Sequence, residues 1–598
     1  MQPSTVTPVA ASTGSSTIAD MMGLAVERYA DHAAVMFKRG DEWVRFTYRE
    51  VGEIVSEIAR GLIELGLAPG DRAAVLCGTR AEWTYASFGI ASAAGVVVPI
   101  YPTNSPEECE WVAGNSDSRF VVCEDAGQAA KIARVRDRLP KLEAVVVIDA
   151  AGDIGDAISL DELRELGRRR DPAEVAERAA AVSPEDPYTV IYTSGTTGPP
   201  KGCVLAHRNY RSVVSMCEAV SVLEEGDIAY LYLPLAHSFA LLIELIAIDL
   251  GGTIAYWSGD PKAIVSDLMA VHPHYIPSVP RIFEKIYTLV TASGDPEKIR
   301  AATQVGLKVR QLQEAGAPVP DELHAAFDRA DQELFVNVRN AFGGRLRQAT
   351  SGAAPIAQEI LEFFYACGVP VLEGYGMTET ATASTVSTLD SFKFGTVGRP
   401  LPGSEVRIAD DGEVLVRGPH IFGGYYKMED KSFGAIDEGW LHTGDLGELD
   451  EDGFLKITGR KKDIIITAGG KNITPANLEN DLKQSRWISQ AVMYGDRRPY
   501  PVALITLDAE EIVHFAREHD LPEDMAALSK EPKVRELVQG VLDEVNSRYA
   551  RAAQVKKFVI LDHDLSQPTG ELTPTLKVKR NVINEKYADL FDRLYAEA

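Results

Sequence analysis

The sequence predicts an α/β protein: a large N-terminal domain of layered α/β subdomains, a β-rich subdomain after about residue 400, and a small α+β C-terminal domain. Three observations carry this. Short β-branched runs (DRAAVLCG, AAGVVVPIYP, SRFVVCED, LEAVVVID) alternate with helical segments, the pattern of parallel strands joined by helices. Beyond residue 400 the chain changes to short strands with turn residues between them, in EVRIADDGEVLVRG, GELDEDGFLKITGR and DIIITAGGKNI. The 598-residue length has room for several such units.

The elements follow in order. Residues 1–18 are small and polar and read as a flexible tail; they lack the charged start and apolar centre of a signal peptide. Residues 19–66 read as helical, with FTYRE opening an amphipathic segment, and a further helix spans Glu82 to Ala94. The apolar stretch Phe239 to Tyr256 is interrupted by Glu244 and Asp249, so it reads as a buried helix followed by a strand and not as a membrane span. Residues 284–340, rich in Ala, Glu, Arg and Lys, read as a helical insertion. The basic stretch ITGRKKDI at 457–464, between two strand-like segments, reads as a candidate domain boundary, with a plain hairpin connection as the alternative.

Sixty-one Lys and Arg against 87 Asp and Glu give a net charge of −26. That argues against an extended nucleic-acid footprint and against a chain that sits on an anionic membrane, both of which need a basic surface. The acidity is uneven: from Arg460 onward 21 basic and 22 acidic residues leave −1, so residues 1–459 carry −25. The six cysteines contain no C-x-x-C spacing and fit reduced thiols in a cytoplasmic chain.

Residues 190–203, VIYTSGTTGPPKGC, place an apolar strand before a loop of Thr193, Ser194, Gly195, Thr196, Thr197 and Gly198, then Lys201. Glycines let backbone N–H groups approach an anion, the hydroxyls add donors and Lys201 adds a point charge, which is a phosphate-cradling composition. It is not a P-loop, because Pro200 precedes the lysine and Gly202 follows it. In EGYGMTET (373–380), glycine-flanked Tyr375 offers a flat face to a purine. Thr378 and Glu379 offer a hydroxyl and a carboxylate suited to phosphate and Mg²⁺. Within GWLHTGDLGELDEDGFLKITGRKKD, Asp445 suits a ribose diol and Arg460 is a rigid donor for ribose or phosphate.

YTSGTTGPPKG, EGYGMTET and the 439–463 run together resemble the signatures of the adenylate-forming superfamily, and the likeness covers nearly the whole chain after the tail. The 439–462 segment and VPRIFEKIY (279–287) are similar to the long-chain fatty-acyl-CoA synthetases in particular. The resemblance implies an ATP-dependent ligase that makes an acyl-AMP and then transfers the acyl group to CoA. An acyl-AMP ligase that loads a carrier protein is the alternative. It implies that Tyr375 and Gly376, with Gly352 and Ala353 of SGAAPI, line the adenine; Ala353 stands where glycine is frequent. Asp445 and Arg460 then hold the ribose, Thr378 reaches the α-phosphate, and Glu379 with Thr193 takes Mg²⁺. His237 and Phe239 of LPLAHSFA fall near the carboxylate end of the acyl site. The resemblance also makes Lys462 the hinge of a mobile C-terminal domain, which implies a large domain over 19–459, a hinge over 460–463 and a small domain over 464–598, and Gly469, Gly470 and Lys471 border the CoA tunnel. In GELTPTLKVKR, matching Thr573 to the family's T-x-x-G-K threonine makes Lys577 the catalytic lysine, with Leu576 where glycine is usual; the spacing leaves Lys579 as an alternative. The implied partners are ATP, CoA and a long-chain fatty acid, with no nucleic acid and no transmembrane segment. Peripheral contact with a membrane that supplies fatty acid is compatible with this set.

Overall fold

The computed structural model describes residues 9–193, 199–291, 294–429, 432, 434–573 and 576–596. Two large sheets build the N-terminal part. One has eight strands, in the order Gly424–Tyr425, Lys201–Ala206, Pro187–Thr193, Val96–Ile100, Arg72–Leu76, Phe120–Asp125, Ala144–Asp149 and Ile158–Ser159. Pairing is parallel from Pro187–Thr193 outward to Ile158–Ser159. The other has nine strands, parallel from Val371–Tyr375 through Gln348–Ser351, Tyr275–Ser278, Ile228–Leu231 and Thr253–Tyr256 to Ala33–Arg39.

Helices Ala81–Ser92 and Ser238–Asp249 explain how the two sheets join. Glu82 is the one residue of the first that is not buried, and Phe239 the one of the second. A helix apolar on every face must be covered on every face, and both belong to one cluster that also holds Val75, Val97 and Ile191 of one sheet and Leu231, Ile254 and Tyr275 of the other. This is the buried helix followed by a strand (Thr253–Tyr256) expected of the apolar stretch. Among the described residues no helix is long and apolar enough to cross a membrane. The 284–340 region is helical, in Pro280–Thr291, Pro296–Glu314, Asp321–Ala330 and Val336–Ala341.

A five-stranded unit over residues 405–460 follows, and then a three-stranded sheet, Ile488–Tyr494, Val502–Leu507 and Lys557–Ile560, with helices around it. The two apolar clusters of this last part contain no residue before Ile465. Polar pairs join it to the rest: Arg281 pairs with Asp508, Lys285 Nζ lies 3.1 Å from Glu510, and Gln567 Nε2 donates to Thr103 Oγ1 at 3.0 Å.

Two expectations are corrected. Residues 19–66 are not helical throughout: strands Ala33–Arg39 and Glu42–Thr47 form a hairpin turning at Gly40, whose φ of +61° glycine adopts without strain. The tail is not loose over residues 9–17. Ser12 Oγ donates to buried Asp249 at 2.7 Å, Thr13 bonds the same carboxylate, and Thr17 caps helix Ile18–Tyr29. A buried carboxylate needs such donors, and nothing in the tail's composition reveals a partner more than 200 residues away.

The buried helix carries one unusual group. Glu244 has no exposed surface; Thr84 donates to one of its oxygens, and the other has no partner among the described residues. Burial pushes its pKa up to about 8. A carboxyl raised in the folded state binds its proton more tightly there than in the unfolded chain. Its stabilising contribution is therefore fully present below the unfolded value near 4.5 and is lost as pH rises toward 8. Glu244→Gln, which keeps the group neutral, is expected to flatten the fall in thermal midpoint between pH 5 and 8 and to exceed wild type at pH 8. Melting curves across that range check it; an unchanged slope contradicts a protonated Glu244.

Candidate active site

The carboxyl ends of the parallel strands, where α/β sheets place their ligand crevices, open on a cavity of about 840 Å³ that also meets the C-terminal part. Strand Pro187–Thr193 delivers Thr193, and its antiparallel neighbour begins with Lys201; the two are direct register partners. The hairpin thus sets both ends of the glycine-threonine loop on the cavity wall. Ser194, Gly195, Thr196, Thr197 and Gly198 lie outside the described residues.

Strand Val371–Tyr375 ends at the second motif. Thr378 and Glu379 follow on a single 3₁₀ turn, each less than a tenth exposed, and both line the cavity. Gly376 is required by crowding, because a Cβ there would lie 1.9 Å from the Thr382 carbonyl oxygen. Strand Gln348–Ser351 leads to Gly352 and Ala353 on the same wall. Ala353 has φ +67°, so alanine keeps the left-handed backbone that glycine adopts freely.

Asp445 and Arg460 face each other on paired strands Trp440–Leu449 and Leu455–Arg460. Arg460 Nε donates to Asp445 Oδ1 at 2.7 Å, and Tyr375 Oη donates to Asp445 Oδ2 at 2.9 Å. The three residues form one fixed chain. Each Asp445 oxygen retains a lone pair, so the carboxylate can still accept from a diol.

The C-terminal part contributes Lys577 and Lys579, which both line the cavity. Lys577 sits in a turn closed by Thr573 N donating to Lys577 O at 2.8 Å and Lys577 N donating to Thr573 Oγ1 at 3.0 Å. Leu576, in the position where glycine was expected, has φ +59°. Burial and then Arg460 lower the Lys577 pKa, while Asp445 and Glu379 oppose the shift. Burial, then Lys577, pushes His237 down to about 4, so its ring is neutral at pH 7; its Nδ1 accepts from Phe239 N at 3.2 Å. Phe239, the one residue of its helix that is not fully buried, lines the cavity, as do the apolar side chains of Leu242, Cys217, Val222 and Tyr275. Lys462 also lines the wall, its pKa lowered by burial and then by Arg460.

Lys201, Arg460, Lys461, Lys462, Lys577 and Lys579 therefore surround one space, against Glu108 and Glu379. The chain's overall acidity is reversed where a polyanion would sit. Gly469, Gly470 and Lys471 are exposed and do not line the cavity in this conformation. The sequence reading missed Tyr425, which lines the wall between Lys201 and Glu379. The signal was available, since Gly423-Gly424-Tyr425 is another glycine-flanked aromatic.

A cationic crevice with an aromatic, the Asp445-paired Arg460 and apolar side chains on its wall suits a nucleotide together with an organic acid. Comparison with known proteins agrees. The AMP-binding enzyme family matches residues 24–426, and the AMP-binding enzyme C-terminal domain matches 462–598. The long-chain-fatty-acid–CoA ligase FadD15 of Mycobacterium bovis is 38% identical over 92% of this chain and 92% of its own. The long-chain-fatty-acid–CoA ligase ACSBG2 of Xenopus laevis is 34% identical over 97% of this chain and 84% of its own. Among solved structures, an anthranilate CoA ligase (AuaEII) in complex with anthranoyl-AMP shares the fold at TM-score 0.74 and 20% identity, over 97% of this chain and 98% of that one. The chain belongs to the AMP-binding enzyme family.

Gly376→Ala must displace either the backbone that carries Thr378 and Glu379 or the Thr382 carbonyl. A loss of stability on the order of 1–3 kcal/mol and weaker ATP binding are expected, read by thermal melting and calorimetry. ATP affinity equal to wild type contradicts this account of Gly376.

Proposed function

We propose that the protein is an ATP-dependent long-chain fatty acid–CoA ligase, which activates the acid as acyl-AMP and passes the acyl group to CoA, releasing AMP and pyrophosphate. The single observation that carries the reading is one cavity whose wall holds both the polar set Thr193, Lys201, Thr378 and Glu379 and the apolar side chains of Leu242, Val222 and Tyr275. The names of the relatives at 38% and 34% identity support the acyl class.

In the first step the fatty carboxylate, already a nucleophile at neutral pH, attacks the α-phosphorus, and the P–O bond to pyrophosphate breaks. Orientation matters more than activation. Lys577 and Lys201 counter the negative charge on the phosphoryl oxygens; placed donors of this kind contribute about 3 kcal/mol each in a water-poor site. The triphosphate supplies the counter-charge that the lowered Lys577 pKa favours. Tyr375 packs against adenine, with Gly352, Ala353 and Gly376 beside it, and Asp445 and Arg460 take the ribose. Neutral His237 can donate a proton in a hydrogen bond without adding charge.

Glu379, Thr378 and Thr193 present hard oxygen donors, the type Mg²⁺ prefers. Among the described residues no three His, Cys, Asp or Glu side chains gather as a metal cage, which fits an ion that arrives with the nucleotide and keeps waters. Mg²⁺, when bound, neutralises phosphate charge.

For the second step the C-terminal domain, 464–598, turns about the 460–463 hinge at Lys462. The turn withdraws Lys577 and brings Gly469, Gly470 and Lys471 to the cavity, where the CoA thiol attacks the acyl carbonyl. The separate apolar clusters and the polar contacts between the two parts support such a motion. All six cysteines are free and buried, which supports a cytoplasmic setting.

With a long-chain acid, ATP, Mg²⁺ and CoA, mass measurement is expected to find acyl-CoA and AMP; acyl transfer to a carrier protein alone contradicts the CoA reading. Lys577→Ala is expected to slow acyl-AMP formation at least about 100-fold while slowing thioester formation from supplied acyl-AMP far less. Lys579→Ala is expected to do neither. Equal loss in both half-reactions of Lys577→Ala removes it from the first step.

A further inference from the structure

Glu379 and Lys201 carry opposite charges toward the same region, and among the described residues no hydrogen bond from their own elements fixes the end of either side chain. Both touch one residue. The short strand Gly424–Tyr425 adds to the edge of the eight-stranded sheet beside Lys201–Ala206, with Tyr425 opposite Cys203. From there Tyr425 Oη donates to Glu379 Oε1 at 2.8 Å. The Lys201 ammonium stands 4.8 Å from the centre of the same ring, within range of the attraction between a cation and an aromatic face.

The tyrosine is itself held. Its N–H donates to Ser432 Oγ at 2.8 Å, and Phe422 meets its ring edge-on with centroids 4.9 Å apart. Phe422 N donates to the Glu379 backbone carbonyl at 2.9 Å, so the segment that carries the phenol is tied to the turn that carries the carboxylate. A hydroxyl fixed in this way occupies one carboxylate oxygen, Oε1. The ring gives the neighbouring ammonium an aromatic face, and among the described residues Lys201 and Glu379 form no direct ion pair. Without that separation the two charges would neutralise each other, and both would be lost to the phosphates.

We propose that Tyr425 is a positioning residue that holds the Glu379 carboxylate and the Lys201 ammonium apart and aimed, so that the first serves Mg²⁺ and the second serves the phosphates of ATP. This rests on the reading of Glu379 as a Mg²⁺ ligand. Tyr425 acts through these two neighbours and has no bond-making role.

The test is calorimetric binding of ATP to the full chain, in Mg²⁺ and in EDTA, for wild type, Tyr425→Phe, Tyr425→Leu, Glu379→Gln and the Tyr425→Phe/Glu379→Gln double variant. Tyr425→Phe keeps the ring and loses the hydroxyl. The affinity gain that Mg²⁺ gives ATP is expected to shrink about tenfold, the worth of a hydrogen bond to a charged group, with little change in EDTA. Tyr425→Leu is expected also to weaken ATP in EDTA, because Lys201 loses its aromatic face. The double variant is expected to match Glu379→Gln within about twofold, since both changes remove one linked function. A further readout separates this from general damage: Tyr425→Phe should slow acyl-AMP formation at least ten times more than it slows thioester formation from supplied acyl-AMP. If Glu379→Gln loses the Mg²⁺ gain and Tyr425→Phe keeps it, the positioning role is wrong and the reading of Glu379 stands. If Glu379→Gln keeps the gain, both are wrong. Additive losses in the double variant, or equal slowing of the two half-reactions, also overturn the proposal.

Discussion

Six cationic side chains gathered around one cavity in a strongly acidic chain set the terms for the rest of this structure. Like charges at close range repel and resist leaving water, so the arrangement needs fixed anions beside it and a mobile anion to complete it. Asp445 supplies the first fixed charge and is locked between Tyr375 and Arg460. Glu379 supplies the second and is locked by Tyr425. Desolvation and then the neighbouring Arg460 lower the pKa values of Lys577 and Lys462. A triphosphate supplies the counter-charge, which links binding of the nucleotide to the position of the part of the chain that brings Lys577 and Lys579.

The division of charge follows the division of the fold. The part before Arg460 carries −25 and the part from Arg460 onward −1, yet three of the six cations come from residues 460–462 and two, Lys577 and Lys579, from the segment just before helix Arg580–Lys586. The large domain contributes Lys201's neighbourhood, the apolar side chains and the adenine wall. Under the proposed turn about 460–463, closure assembles these charges and opening disperses them. A single cavity can in this way suit a polyanionic reactant in one pose and a thiol in another.

Much of the site was legible because its chemistry is local. EGYGMTET places an aromatic, a hydroxyl and a carboxylate within five residues, and the strand-loop-strand of 190–203 sets Thr193 opposite Lys201 by simple hairpin register. What escaped is what depends on distant pairing. Tyr425 reaches Glu379 only because its short strand adds to the edge beside Lys201–Ala206, more than 200 residues back in the chain. The ordered start of the chain depends on Asp249 in the same way. The hairpin at 33–47 was hidden by helical segments on both sides. Ala353 and Leu576 departed from the expected glycines, and only the backbone shows that both keep the left-handed conformation glycine would provide.

The central claim is that this cavity forms an acyl-AMP before any thiol takes part. Exchange of labelled pyrophosphate into ATP tests it most directly, measured with the full chain, Mg²⁺ and a long-chain fatty acid in the complete absence of CoA. The account predicts exchange that requires the fatty acid and proceeds without CoA. Exchange that appears only when CoA is added, or that is indifferent to the acid, would contradict it.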